Sequence, residues 1–488
     1  MTSTFPAREV GLATIGALVW HSLWAASVPV PIDWDPAYYL DVARNIVAGK
    51  GAVSGVIWQW SGPELALPQP ADLHWMPLPS RVLVPFVAVA GTTGASVAAV
   101  IMAASWVPLA AMLTVRLGGD ARAVRIAVVL AALGGGYVRF LSTPDSLGLY
   151  GMMAGLGWLT AADRRVFWTA VLAFLAALTR GDGFLLALSL GVVLWAGGQR
   201  RGALTVALAG PLAWLSWALR SAMVAGPAWW DARARTASAL HIHDFLVGGS
   251  SVPDMADRLQ AALAGSWSGL MAGMLVGVGV LPLVAGVGVA ICWRHRLVAG
   301  LVSYACVMLT VPCLLAPGVA ASGSAFRSGA ALFPAACGLA ALGACWLSEL
   351  GHRKRGYPVW FIPGLLVVGA AVGGTGLGLG TVRARPGPPV HCPEGPAPAV
   401  VFSGRPLLVR STCGPMAVAL FRSDSPEAVA HRARLHGVFV AWVPEAESDP
   451  FLPSRDDAAR LLPGWREWAD GVWLHPDALS PTAGPSGW

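Results

Sequence analysis

Apolar runs about as long as a bilayer is thick recur along the chain, and that feature leaves it few folds. Backbone amides in hydrocarbon must be satisfied within their own segment, so each such run reads as a helix. The runs lie at roughly 10–30, 94–115, 122–139, 146–162, 166–179, 183–198, 203–222, 267–291, 297–316, 330–349 and 358–380, about eleven spans in all. Composition agrees: 56% of the residues are hydrophobic and 12% charged, too few charges to cover a soluble surface. The first run, Val10 to Val30, is long enough to cross, and more spans follow. An uncleaved first helix is therefore expected rather than a signal peptide.

Charge gives the spans a direction. Arg8, Arg116/Arg122/Arg125, Arg164/Arg165, Arg200/Arg201, Arg294/Arg296 and Arg353/Lys354/Arg355 fall at alternate ends of successive spans. The positive-inside rule makes that side cytoplasmic, with the N-terminus in. The net charge of +7 is spread over these short clusters and forms no continuous basic stripe, so a nucleic-acid partner is excluded. The expected location is the cytoplasmic (inner) membrane, multi-pass, with membrane lipids as neighbours.

The opposite side receives the long loops at about 31–93 and 223–266 and everything after about 381. It also carries most of the acids, among them Asp33, Asp35, Asp41, Asp72 and Asp145. The organisation expected is a polytopic all-α membrane domain over 1–380 and a small extracytoplasmic α/β domain over 381–488. In that tail, "AVVFSGRPLLVRS", "AVALFRS" and "VFVAWV" read as strands, and "SPEAVAHRARLHG" and "SRDDAARLL" as capped helices. Cys392 and Cys413 lie there, where oxidising conditions make them a disulfide candidate. Ala37 to Ala48 reads as an amphipathic helix along the membrane surface. Its apolar face is Tyr39, Val42, Ala43 and Ile46, and Gly49 and Gly51 stop it.

Each chemistry-bearing stretch also has a plain structural reading. Asp35-Pro36 is a favoured helix start. Asp145 in "STPDSLGLY" (142–150) can cap the helix that follows. Arg180 and Asp182 in "LTRGDGFLL" (178–186) can form an ion pair inside a turn, or Arg180 can contact a phosphate. Arg327 in "GSAFRSGAALFP" (323–334) is the one charge between two spans on the side where positive charge is disfavoured, a position suited to a lipid phosphate. "LHWMPLPS" (73–80) contributes His74. "HIHDF" (241–245) has metal-like spacing but no second ligand cluster, so no metal is assigned. "GMMAG" (151–155) is most simply a close helix contact.

Their order and sidedness together resemble the GT-C superfamily of integral membrane glycosyltransferases, in particular the branch with protein O-mannosyltransferases and aminoarabinose transferases. That branch opens with a span and then a loop of the form D-x-x-x-Y…A-x-x-h-x-x-G, which here reads Asp35, Tyr39, Ala43, Ile46 and Gly49. The similarity continues through "HWMPL", the "PDS" hairpin, "LTRGDG" and the "FR…LFP" stretch. The branch often has Asp-Glu at the first motif; here Pro36 follows Asp35 and the second acid, Asp33, comes two residues earlier. Either aspartate can match the base, and the spacing to Tyr39 favours Asp35.

The resemblance implies transfer of a sugar from a polyprenyl-phosphate donor to a lipid, glycan or protein acceptor on the outer face, with inversion. Asp35 would be the general base, with Asp33 second to it. Asp145 would position the acceptor or tune Asp35. Tyr39, His74, Arg180, Asp182 and Arg327 would bind substrate, the arginines meeting the leaving phosphate. No cofactor is required, and the resemblance allows a divalent cation near Asp35 and Asp145. The competing class is a polytopic transporter or lipid-linked-sugar flippase. The spans carry almost no interior charge and show no repeated halves, which argues against it.

Overall fold

The computed structural model describes residues 5–27, 34–57, 67–226, 281–315 and 324–383. In the tail it describes 400–403, 415–420, 426–436, 438, 440–443, 455–469 and 472–476, and there are isolated positions at 260 and 264. The chain is mostly helical and divides into two compact units. The first holds Met1–Pro29, Trp75–Leu219 and Ala237–Arg383; the second holds Val30–His74, Arg220–Thr236 and Ala384–Trp488.

In the first unit the helices are α1 (Ala7–Ser27), α3 (Leu78–Ala104), α4 (Trp106–Arg116), α5 (Ala121–Leu133), α6 (Val138–Leu141), α7 (Ser146–Ala162), α8 (Val166–Thr179), α9 (Gly183–Ala196) and α10 (Arg200–Ala225). The last few residues of α10 belong to the second unit. There follow α11 (Leu281–Ile291), α12 (Arg296–Leu315), α13 (Ser324–Ser328), α14 (Phe333–Arg355) and α15 (Phe361–Arg383). Among the described residues five helical stretches are long and apolar enough to cross a membrane: Ala7–Ser27, Leu78–Arg116, Ala121–Leu141, Arg200–Ala225 and Phe333–Arg355. Several have large apolar side chains exposed, as Leu12, Ile15, Val19 and Leu23 do on α1. Lipid, not water, suits such a face.

Local chemistry sets the helix ends. Asp120 caps α5, its carboxylate accepting from the Ala123 amide at 2.9 Å, and Gly134 ends it at φ 70°. α14 ends at Gly356 with φ 69° after a basic last turn of His352, Arg353, Lys354 and Arg355, which complements the helix dipole. α3 is broken at Ala90 and Gly91, the glycine at φ 57°. Its first part is therefore distinct from the rod that runs on through α4. Arg116 pairs with Asp163 at 2.7 Å. That hydrogen bond holds the carboxyl of Asp163, which lies just past the end of α7, below its usual range.

The core of this unit is dense in small residues. The helices carrying Gly288 and Gly343 approach so closely that a Cβ on Gly288 would lie 2.0 Å from the Leu339 carbonyl oxygen, and one on Gly343 2.1 Å from that of Val284. Gly151 faces the Trp106 ring and Gly155 faces Leu109 in the same way. "GMMAG" is a helix contact.

The second unit contains α2 (Trp34–Val47), a two-stranded antiparallel sheet of β1 (Val53–Ser54) and β3 (Gln69–Pro70), and a six-stranded sheet. That larger sheet is built from β2 (Val56–Ile57), β4 (Val400–Ser403), β5 (Met416–Ala419), β6 (Val440–Trp442), β7 (Arg466–Ala469) and β8 (Val472–Leu474), in the order β2-β5-β4-β6-β8-β7. β4 is parallel to both neighbours, and β8 is antiparallel to both of its own. Residues 426–436 and 455–461 are helical, and Phe402, Val418, Val429, Ala441, Leu461 and Trp473 form the core. A strand from the first long loop, β2, pairs in parallel with β5 of the tail. The two-residue length of β2 gives periodicity nothing to register.

Helix α2 corrects an expectation. It does not lie on a surface with one face in headgroups, because Tyr38, Tyr39, Leu40, Val42 and Ala43 are all buried. Two polar residues of the helix, Asp41 and Asn45, hold the chain that follows. The Asp41 carboxylate accepts from Ser54 Oγ at 3.2 Å and the Gly55 amide at 2.9 Å, and Asn45 donates to the Val53 carbonyl at 3.0 Å.

Candidate active site

In the first unit, the turn between α8 and α9 carries Arg180 and Asp182. The Arg180 guanidinium donates to the Asp182 carboxylate at 2.9 and 3.4 Å, with both side chains mostly buried. The same carboxylate accepts from the Ser328 hydroxyl. The Arg180 guanidinium lies 5.6 Å over the Tyr150 ring and Arg327 lies 5.9 Å over the Phe140 ring, both within cation–π range. Ser328, whose hydroxyl bonds Asp182, directly follows Arg327 in the chain. The structure thus brings together three of the expected substrate-binding residues: Arg180, Asp182 and Arg327.

The segment bearing Arg327 is irregular, a single helical turn running into a 3-10 turn over Gly329–Ala331. Its carbonyls need donors, since unsatisfied backbone is expensive away from water. Three aromatic side chains from three other segments supply them. Tyr137 donates to the Phe326 carbonyl at 2.8 Å, Tyr304 to that of Ser328 at 3.0 Å and Trp158 to that of Ala331 at 2.9 Å. Tyr150 and Tyr304 share a hydroxyl–hydroxyl hydrogen bond of 2.9 Å. Sequence reasoning missed Tyr137, Tyr150, Tyr304 and Ser328, because each sits in or beside an apolar run. The signal was available: the chain has only 6 tyrosines, and three of them, Tyr137, Tyr150 and Tyr304, fall inside spans.

Asp145 is buried and takes its capping role, its carboxylate accepting from the Leu147 amide at 3.1 Å and the Ser146 hydroxyl at 3.1 Å. Two residues before the turn's Pro144, Ser142 is held to His21 of α1 at 3.1 Å.

Asp35, Tyr39 and His74 belong to the second unit. Since α2 begins at Trp34, Asp35 stands in the first turn rather than at the cap. It is partly exposed there, whereas Tyr39 is buried and His74 half-buried. The Tyr38 and Tyr39 rings meet edge to face at 5.9 Å. The Tyr38 hydroxyl accepts from the Asp72 amide at 2.6 Å. Asp72 is a buried residue with φ 65°. The backbone beside it is tied further by Arg220, which donates to the Ala71 carbonyl at 2.6 Å, and by Ser221, which donates to that of Asp72 at 3.3 Å. Asp33, Cys392 and Cys413 lie outside the described residues. Among the described residues no group of three or more His, Cys, Asp or Glu could hold a metal ion.

The chain has the fold of the GT-C membrane glycosyltransferases. It is similar over 98% of its length, and 99% of the other chain, to ArnT from Cupriavidus metallidurans bound to undecaprenyl phosphate, with a TM-score of 0.55 and 14% identity. It is also similar to the oligosaccharyltransferase AglB from Archaeoglobus fulgidus in complex with an inhibitory peptide and a dolichol-phosphate. There it covers 88% of this chain and 69% of that one, with a TM-score of 0.51 and 13% identity. An AglB structure with Zn and sulfate matches at a TM-score of 0.50 and 13% identity, over 87% of this chain and 67% of that one. At these identities the likeness is one of fold. No family model and no curated protein sequence matches the chain.

Proposed function

We propose that this protein transfers a sugar from a polyprenyl-phosphate donor to a hydroxyl of a lipid, glycan or protein acceptor on the outer face of the cytoplasmic membrane. The observation that carries the reading is the end-to-end fold likeness to a glycosyltransferase crystallised with undecaprenyl phosphate. Arg180 and Arg327, each stacked over an aromatic ring, add guanidinium chemistry suited to the same class of ligand.

In this reading Asp35 takes the proton of the acceptor hydroxyl as that oxygen attacks the anomeric carbon. The bond from that carbon to the phosphate oxygen breaks on the opposite face, inverting the centre, and the phosphate departs with the electron pair. Guanidinium donors stabilise the charge that grows on it. A phosphate leaves without a second acid, so one base suffices, and Asp145 shapes the acceptor side through the turn it caps. The outward placement of the long loops and of the tail belongs to the same proposal.

The test is reconstitution of the full chain with a panel of undecaprenyl-phosphate hexoses and pentoses, scored by release of undecaprenyl phosphate. Cells lacking the protein should accumulate one lipid-linked sugar, which names the donor. Movement of that lipid across a liposome bilayer with no phosphate release would favour a flippase and sink the transferase.

A further inference from the structure

The arginine turn is closed by contacts that the transfer reaction does not by itself require. Arg180 pairs with Asp182, Asp182 accepts from the Ser328 hydroxyl, and the Ser328 carbonyl accepts from Tyr304. Tyr304 in turn shares a hydrogen bond with Tyr150, whose ring lies beneath Arg180. The circuit returns to its start. Since the Tyr304 proton goes to the Ser328 carbonyl, Tyr150 is the donor in the hydroxyl pair. Tyr150, Tyr304 and Ser328 are all buried.

We infer that Tyr304 is a positioning residue for phosphate binding, fixing the Arg180 turn relative to the segment that carries Arg327. Its one hydroxyl is bonded to both sides: to Tyr150 under Arg180, and to the carbonyl of the residue after Arg327. Two phenylalanines would bury nearly the same apolar area without the cost of desolvating two hydroxyls. What the hydroxyls add is direction. A phosphate recognised by two guanidinium forks needs the forks held at a set separation, which requires locked supporting side chains. Tyr137 and Trp158 hold neighbouring carbonyls of the same segment but touch neither the Arg180 turn nor its aspartate through any described hydrogen bond, so of these three aromatic donors it is Tyr304 that reinforces the direct Ser328–Asp182 link.

This inference rests on the proposed lipid-phosphate donor, and the experiment separates the two. The full chain is placed in phosphatidylcholine nanodiscs and its affinity measured for undecaprenyl phosphate and for undecaprenol, which shares the tail but lacks the phosphate. Tyr304→Phe should weaken undecaprenyl phosphate about three- to tenfold, the worth of one hydrogen bond, and leave undecaprenol unchanged. With a transferable donor, the loss should appear in KM more than in kcat. In an Arg327→Ala background Tyr304→Phe should cost little more, because a fork that is absent no longer needs placing. Tyr150→Phe, which removes the other end of the same bond, should act in the same direction and decides the matter if Tyr304→Phe does not fold. If Tyr304→Phe melts earlier yet binds undecaprenyl phosphate normally, the tyrosine is only structural and the inference falls. If the wild type does not prefer the phosphate, and Arg327→Ala changes nothing, the lipid-phosphate reading itself fails and takes the inference with it.

Discussion

Asp35 can be tested without wrecking the helix it stands on. It lies in the first turn of α2 rather than at the cap, where asparagine forfeits a favourable charge near a helix N-terminus, about 0.3–1 kcal/mol. As general base its loss is far larger. Asp35→Asn should lower transfer by roughly two to four orders of magnitude with melting nearly unchanged. Asp33→Asn, the internal control, should cost much less, and the reverse ranking would hand the role to Asp33. Arg327 separates charge from shape. Arg327→Lys keeps the charge without the planar fork and should retain partial activity. Arg327→Ala should lose about a hundredfold, as when one charge-stabilising donor is removed. Full turnover in Arg327→Ala would reduce it to an interface anchor.

Helix positions were the most legible feature, because hydrocarbon enforces them. The apolar runs at 146–162 and 166–179 coincide with α7 and α8 as found, and arginines and turns mark their ends. The run at 94–115 begins just after the break in α3 at Ala90–Gly91. What periodicity misjudged was burial. α2 has an amphipathic pattern, yet its polar face grips β1 through Asp41 and Asn45 instead of facing water. A pattern of alternating polarity shows that a face is polar and not what it meets. The spacing of small residues was legible as packing, and it yields a prediction at this scale. A Cβ on Gly151 would fall 2.2 Å from the Trp106 ring, whose indole is fixed by a 3.1 Å hydrogen bond to the Gly148 carbonyl. Gly151→Ala should therefore destabilise by about 1–3 kcal/mol. Gly155→Ala meets the end of the Leu109 side chain at 2.9 Å, which can turn aside, and should cost less. Thermal melting of both variants in one detergent ranks them; equal melting points would show that the α4–α7 contact is looser than drawn.

At the scale of the molecule, the class of fold was legible from order and sidedness, while the assembly of the second unit was not. That unit gathers Val30–His74, Arg220–Thr236 and the tail from Ala384, and no local pattern records which distant strands will pair. The side of the membrane each part occupies still rests on charge asymmetry, a statistical pressure on short basic loops, and it can be measured directly. Asp72 is buried and would resist a thiol reagent on either side, so exposed positions must be used. Lys50, Arg434 and Arg353 are exposed in the first loop, the tail helix and the basic end of α14. Each would be changed to cysteine in a background with the native cysteines replaced, since Cys306 is exposed and would add signal. A membrane-impermeant maleimide should label Lys50→Cys and Arg434→Cys in intact cells, and Arg353→Cys only after permeabilisation. The first two must share a side whatever that side is, because β2 and the tail strands belong to one sheet. Labelling of one without the other would contradict the sheet. Labelling of Arg353→Cys in intact cells, with the other two protected, would turn the whole chain over and place the proposed donor on the cytoplasmic leaflet.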